Sequence, residues 1–154
     1  MTTEIERKFL VDVPPPTDEW GVGVHFRQGY LAEDGDVAVR IRITPKSAIL
    51  TVKAGSGLTR TEVESNLTIE QGEALWAHTA GRQLSKVRHE LPVTGGVAEL
   101  DVYEGRLRGL LTVEVEFRSE AEANAFWPPP WFGPELTGDG RWTNAALARH
   151  GRPL

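Results

Sequence analysis

Thr3-Glu4-Ile5-Glu6-Arg7-Lys8-Phe9-Leu10-Val11 decides how the rest of the chain is read. In an extended strand successive side chains point to opposite faces. Glu4, Glu6 and Lys8 therefore line one face, while Ile5, Phe9 and Val11 take the other, with Arg7 as the exception. In a helix Glu4 and Glu6 would point apart. Two carboxylates one pleat apart, with an ammonium next along the row, can hold a divalent cation and one end of a phosphate chain together. A solvated surface strand can carry the same charges, so the decision falls to the later strands.

Those strands repeat the pattern. Val24 to Ala32 is extended in character, and Glu33-Asp34-Gly35-Asp36 reads as a hairpin turn into Val37 to Ile43, where Arg40 and Arg42 oppose Val37, Val39, Ile41 and Ile43. Ala48 to Lys53 sets Thr51 and Lys53 against Leu50 and Val52. The next strand carries Arg60, Glu62 and Glu64 on one face. Lys86, Arg88 and Glu90 form the polar row of Leu84 to Leu91, and Glu99, Asp101 and Tyr103 that of Val97 to Tyr103. In Leu111 to Phe117, Glu114 and Glu116 oppose Val113, Val115 and Phe117. Thr68-x-x-Gln71 and Ser119-x-x-Glu122 look like capping boxes opening two helices, and a third is expected from Thr143 to His150, closed by Gly151. Gly55-Ser56-Gly57 lacks the spacing and ending of a P-loop and reads as a hairpin connection.

The totals set bounds. The chain has 154 residues, enough for one ordinary core, so a single domain over 1–154 is expected. A net charge of −5 argues against general attraction to a nucleic acid polymer or an acidic membrane. With no cysteine, a disulfide framework, a thiolate metal site and a cysteine nucleophile are all excluded. There is no apolar run of signal-peptide or membrane-span length, and a cytoplasmic location is the simplest expectation.

Eight strands at close spacing imply an α+β fold: an eight-stranded, mostly antiparallel sheet closed into a barrel, with helices packed outside. Three helices need an apolar surface, and the aliphatic face of the strands supplies it. The charged rows then point inward. Such an interior cannot be dry, because withdrawing each ion from water costs several kcal/mol and apolar replacements are often neutral or stabilising. A wet tunnel for a flexible polyanion that arrives with divalent metal accounts for both signs of charge.

At these residues the sequence resembles the CYTH superfamily of triphosphate tunnel metalloenzymes. Glu4-Ile5-Glu6-Arg7-Lys8 matches the family's ExExK signature, and Arg40 with Arg42, Lys53, Arg60-x-Glu62-x-Glu64, Lys86-x-Arg88, Glu99-x-Asp101 and Glu114-x-Glu116 follow in order. Leu136 to Asp139 and Trp142-x-Asn144 look like its closing segment, although tyrosine is more usual where Trp142 stands. The resemblance implies a tunnel fold, dependence on Mg2+ or Mn2+, and hydrolysis or transfer at a triphosphate.

The leading expectation is hydrolysis of inorganic triphosphate to pyrophosphate and phosphate. Lys8, Arg40, Arg42, Lys53, Arg60, Lys86 and Arg88 would bind substrate, and Glu4, Glu6, Asp101, Glu114 and Glu116 would hold metal. Glu4, Glu6, Lys8 and Glu116 are the expected catalytic groups. Asp139 is a further candidate, and Arg60, Glu62 and Glu64 could instead form ion pairs within the wall. Thiamine triphosphatase and adenylate cyclase activities are the rivals on the same fold, and a non-catalytic polyphosphate or nucleotide sensor is the rival of another class. Among inner-face residues the sequence shows no dedicated aromatic cluster for an organic group. The expected partner is a triphosphate-containing small molecule, and the expected state a monomer or homodimer. His25, His78, His89 and His150 are expected in surface or core roles, and Trp76, Trp127, Trp131 and Trp142 are expected to pack helices and tail onto the barrel.

Overall fold

The strand β1 (Thr3–Leu10) pairs antiparallel with the last strand of the sheet and with its fifth, which is what closes the barrel. In this computed structural model, which describes residues 2–154, the remaining strands are β2 (Val24–Asp34), β3 (Val37–Ile43), β4 (Ala48–Ala54), β5 (Thr59–Leu67), β6 (Gln83–Val93), β7 (Gly96–Tyr103) and β8 (Leu111–Glu116). Their order around the barrel is β1-β5-β4-β3-β2-β6-β7-β8, and each neighbouring pair is antiparallel. The closed, eight-stranded antiparallel barrel expected from alternation is therefore present.

Register shows which row faces inward. Glu6 lies opposite Glu116, Lys8 opposite Glu114, Arg88 opposite Asp101 and Glu99 opposite Glu114, so the charged rows share one surface. The aliphatic row of β1, β7 and β8 faces outward and forms a core of Phe9, Val11, Ala98, Leu100, Val113 and Val115 under Phe126 and Phe132 of the tail. Arg7, the exception to alternation, lies on this outer side. Its guanidinium donates to the carbonyls of Ala123 and Phe126, each at 3.0 Å, and grips Glu135 at 2.7 and 2.9 Å. It ties β1 to a tail more than a hundred residues away in sequence, which explains a cation in an otherwise apolar row.

Three helices complete the fold: α1 (Ile69–Trp76), α2 (Glu120–Ala125) and α3 (Asn144–His150). The Thr68 box is complete, Thr68 accepting from the Gln71 N–H and Gln71 accepting from the Thr68 N–H. The second box is half formed. Ser119 accepts from the Glu122 N–H, but Glu122 accepts from Arg118 instead of Ser119. Gly72 lets α1 lie close on the barrel, since a Cβ there would stand 2.6 Å from that of Ala48.

Three details depart from the sequence reading. The β2–β3 hairpin turns more tightly than expected, with β2 running on to Asp34; a bulge between Tyr30 and Ala32 resets its alternation and brings Glu33 onto the inner row. The third helix does not lie on the outer wall. It packs on Tyr30, Leu84 and Tyr103, all inner-row residues by register, so α3 stoppers one end of the barrel. The outer wall of β3, β4 and β5 is only partly covered, leaving Val37, Val52 and Val63 exposed, and Trp127 is 88% exposed instead of packed. Among the described residues no helix is long and apolar enough to cross a membrane.

Candidate active site

Three carboxylates meet near the end of the barrel away from α3. Glu4 and Glu6 share the inner row of β1, Glu116 comes from the paired strand β8, and one oxygen of each lies within 4.8 Å of the others. Among the described residues Glu4 alone of the three is in ion-pair contact with a cation, Lys53 Nζ at 3.1 Å. Crowding shows in their acidity. Burial, then Glu114, holds the Glu6 carboxyl well above the usual range. Burial together with Glu99, Glu4 and Glu62 pushes Glu116 up to about 7, and burial with Glu62 raises Glu4.

Deeper in, the other carboxylates are engaged by cations. Asp101 and Lys86 are fully buried and pair at 2.6 Å, and Arg88 donates to both Asp101 oxygens at 2.8 and 2.9 Å. Arg88 also reaches Glu99 at 3.0 Å and Glu114 at 3.4 Å. Burial opposes ionisation of Glu114, yet Arg88, Lys8 and Lys86 carry its carboxyl well below the ordinary range. Burial lowers Lys86 to about 7 despite Asp101. The charged interior is thus divided into an acidic cluster short of cations and a buried network in which acids and bases are matched.

Four of the remaining cations face a cavity of about 340 Å³ that opens between α3, the two hairpin tips and the closing segment. Lys8, Arg40, Lys53 and Arg60 line it from within, and Gly57, Gly138 and Trp142 lie at its mouth. Lys8 Nζ donates to the Trp142 carbonyl at 2.7 Å, so the substrate-side lysine of β1 touches the tail even though indole replaces the expected phenol there. Arg40 donates to Thr51 at 3.1 Å, while its Nε and that of Arg60 are buried without partners. Glu62 pairs with Lys53 at 3.3 Å, and Glu64 receives only a long bond from Thr51 at 3.4 Å. Asp139 pairs with Arg141 at 2.7 Å and is not one of the three clustered carboxylates.

The family model for the CYTH domain matches residues 2–127. The chain belongs to the CYTH domain family. It is 46% identical over 149 residues to an inorganic triphosphatase of Nitrosomonas europaea, covering 95% of this chain and 97% of that one. It is 32% identical over 152 residues to an inorganic triphosphatase of Acetivibrio thermocellus, covering 97% and 96%. A crystal structure of an inorganic triphosphatase superposes with a TM-score of 0.72 at 42% identity, covering 99% of both chains.

Three residues of this CYTH barrel escaped the sequence reading. Phe26 and Gln28 occupy the inner row of β2, Gln28 fully buried, and Thr112 lies between Asp101 and Leu10 on the same surface. The alternation of Val24, Phe26 and Gln28 carried the signal. Carrying the hairpin register back from Arg42 would have found it, since Gln28 sits opposite Arg42.

The donor set of Glu4, Glu6 and Glu116 is all carboxylate oxygen, hard ligands that suit Mg2+ or Mn2+. Raised carboxyl pKa values are what burial and mutual repulsion produce in three carboxylates with only one cation in ion-pair contact. Metal binding requires the ionised carboxylates, so affinity should rise with pH through about 7, where Glu116 loses its proton. Titration calorimetry with Mg2+ or Mn2+ in two buffers of different ionisation heat should show proton release near pH 6 and much less near pH 8, in keeping with a carboxyl shifted to the neutral range. Equal affinity at both, with no proton release, would overturn the assignment.

Proposed function

We propose that this protein hydrolyses inorganic triphosphate to pyrophosphate and phosphate with Mg2+ or Mn2+, its 154 residues acting as one domain. The observation that carries this reading is the division of one interior into a cavity lined by Lys8, Arg40, Lys53 and Arg60, with buried Nε atoms of both arginines unpartnered, and a carboxylate cluster short of cations. The names of the relatives at 46% and 32% identity support it.

Arg40, Arg42 and Arg60, with Lys8 and Lys53, clamp the phosphate chain and offset charge that develops on the departing pyrophosphate. Glu4, Glu6 and Glu116 hold the metal. When bound, the metal neutralises phosphate oxygens and lowers the cost of water attack. Glu116, ionised once metal is held, would take the proton of the attacking water through a carboxylate oxygen as the water oxygen bonds to the terminal phosphorus and the bond to the bridging oxygen breaks. The matched network gives Asp101 and Glu114 another task. They hold Lys86 and Arg88 in place, and the metal falls to the other three carboxylates.

The substrate is a small molecule, and a nucleic acid polymer or membrane is not part of this reading. A cytoplasmic protein, monomeric or homodimeric, suits it. The test is phosphate release from inorganic triphosphate, thiamine triphosphate and ATP, with metal and with chelator, and cyclic AMP followed alongside. Metal-dependent release that favours inorganic triphosphate is the expected result. Preference for an organic triphosphate would move the reading to one of its rivals, and binding without turnover would leave a sensor.

A further inference from the structure

Arg42 differs from the other deep cations of the barrel. Lys86 and Arg88 are matched by Asp101, whereas Arg42, among the described residues, has no carboxylate in ion-pair contact. Its two immediate partners are neutral and belong to one strand. Gln28 Oε1 accepts from Arg42 Nε at 2.9 Å, and the Arg42 guanidinium lies 4.4 Å from the centroid of the Phe26 ring. Phe26 also has Arg88 at 5.3 Å and Lys86 at 5.9 Å, so one ring stands among three like charges.

We infer that Phe26 and Gln28 are positioning residues that hold Arg42 in place without neutralising it, keeping a full positive charge free for the phosphate chain. This inference rests on the triphosphatase reading and adds to it two residues that carry no charge. A ring face attracts cations electrostatically and gives a guanidinium a flat surface to lie on, while the amide oxygen fixes rotation about the side chain. A carboxylate in place of Gln28 would hold the arginine as well, but would cancel the charge that the substrate needs.

The cost of this arrangement is visible. The amide of Gln28 cannot be turned round, because arginine has no acceptor and Oε1 must face it. Its Nε2 is thereby left buried without a partner. A buried donor without an acceptor lowers stability, so packing alone gives no reason for an amide here. Glutamate would leave no orphan donor and would pair with the arginine. Its absence is accounted for by binding.

The experiment compares Gln28→Glu, Gln28→Leu, Phe26→Leu and Phe26→Tyr with the parent, reading calorimetric affinity for inorganic triphosphate in chelator, steady-state kcat and KM with metal, and thermal midpoint. Gln28→Glu should keep or raise the midpoint while weakening triphosphate binding by about 10- to 100-fold, the worth of a hydrogen-bonded charge. Phe26→Leu and Gln28→Leu should also weaken binding and raise KM more than they lower kcat, and Phe26→Tyr, which keeps the ring, should restore both. A Gln28→Glu variant that binds triphosphate like the parent, or a Phe26→Tyr variant no better than Phe26→Leu, would overturn the inference while leaving the triphosphatase reading intact. A parent that neither binds nor cleaves triphosphate would remove both.

Discussion

Glu6→Gln should lose about a thousandfold in triphosphate turnover, several kcal/mol of transition-state stabilisation, and yet leave the metal-free protein no less stable than the parent. The two effects come from one cause. Glu6 is buried beside Glu114 and Glu4, and its carboxyl is held well above the usual range, so in the absence of metal its ionised form is a burden on the fold. An acid whose folded pKa is raised contributes stability that is present below its unfolded value, about 4.5 for Glu6, and is lost as pH rises through the folded value. The metal-free parent should therefore lose stability as pH climbs out of the acid range, and the glutamine variant should lose less. Thermal melts across pH, with and without Mg2+, would show this. The parent gains a metal-dependent shift that grows with pH, and the variant gains little. Turnover within tenfold of the parent would remove Glu6 from the site.

The barrel could be read from the sequence because alternation has a period of two and repeats in every strand. Arg40 and Arg42 against Val39 and Ile41, or Glu114 and Glu116 against Val113 and Val115, each state the same inward direction. The metal-binding candidates Glu4, Glu6 and Glu116 were likewise visible as charged positions, since β1 and β8 present them at the same spacing that register later joins.

What the sequence could not show is pairing. Nothing in Lys86-x-Arg88 and Glu99-x-Asp101 says that Asp101 satisfies both cations, because that depends on which strands are neighbours. Neutral inner residues escaped for a related reason. Phe26 and Gln28 have no charge to mark a polar row, and only the register against Arg42 and Lys86 gives them meaning. The inward turn of Glu33 depends on a bulge at Leu31, a local insertion that alternation cannot anticipate. The end position of α3 was hidden because its apolar partners, Tyr30, Leu84 and Tyr103, lie on the row that charge had marked as polar.

Asp101→Asn should be the most destabilising single change in the barrel interior, costing about 3 to 5 kcal/mol and lowering the thermal midpoint by roughly 10 °C. The carboxylate is fully buried and accepts from Lys86 at 2.6 Å and from Arg88 at 2.8 and 2.9 Å. An amide keeps the shape but leaves the fully buried Lys86 without its ion-pair partner, while Arg88 keeps only Glu99 and Glu114. The deficit should depend on pH in a definite direction. Lys86 is already lowered to about 7 by burial, and a lysine depressed in the fold costs stability increasingly as pH falls from about 10.5 toward its folded value, with the full cost below it. The variant should thus be furthest from the parent near pH 6 and closest to it near pH 9, where Lys86 can remain neutral. Lys86→Met separates charge balance from packing, since it leaves Asp101 satisfied by Arg88 and should cost much less stability. If the two variants melted together, or if the Asp101→Asn deficit did not shrink at high pH, the buried triad would be a matter of packing and the cations would need no counter-charge to stay in the wall.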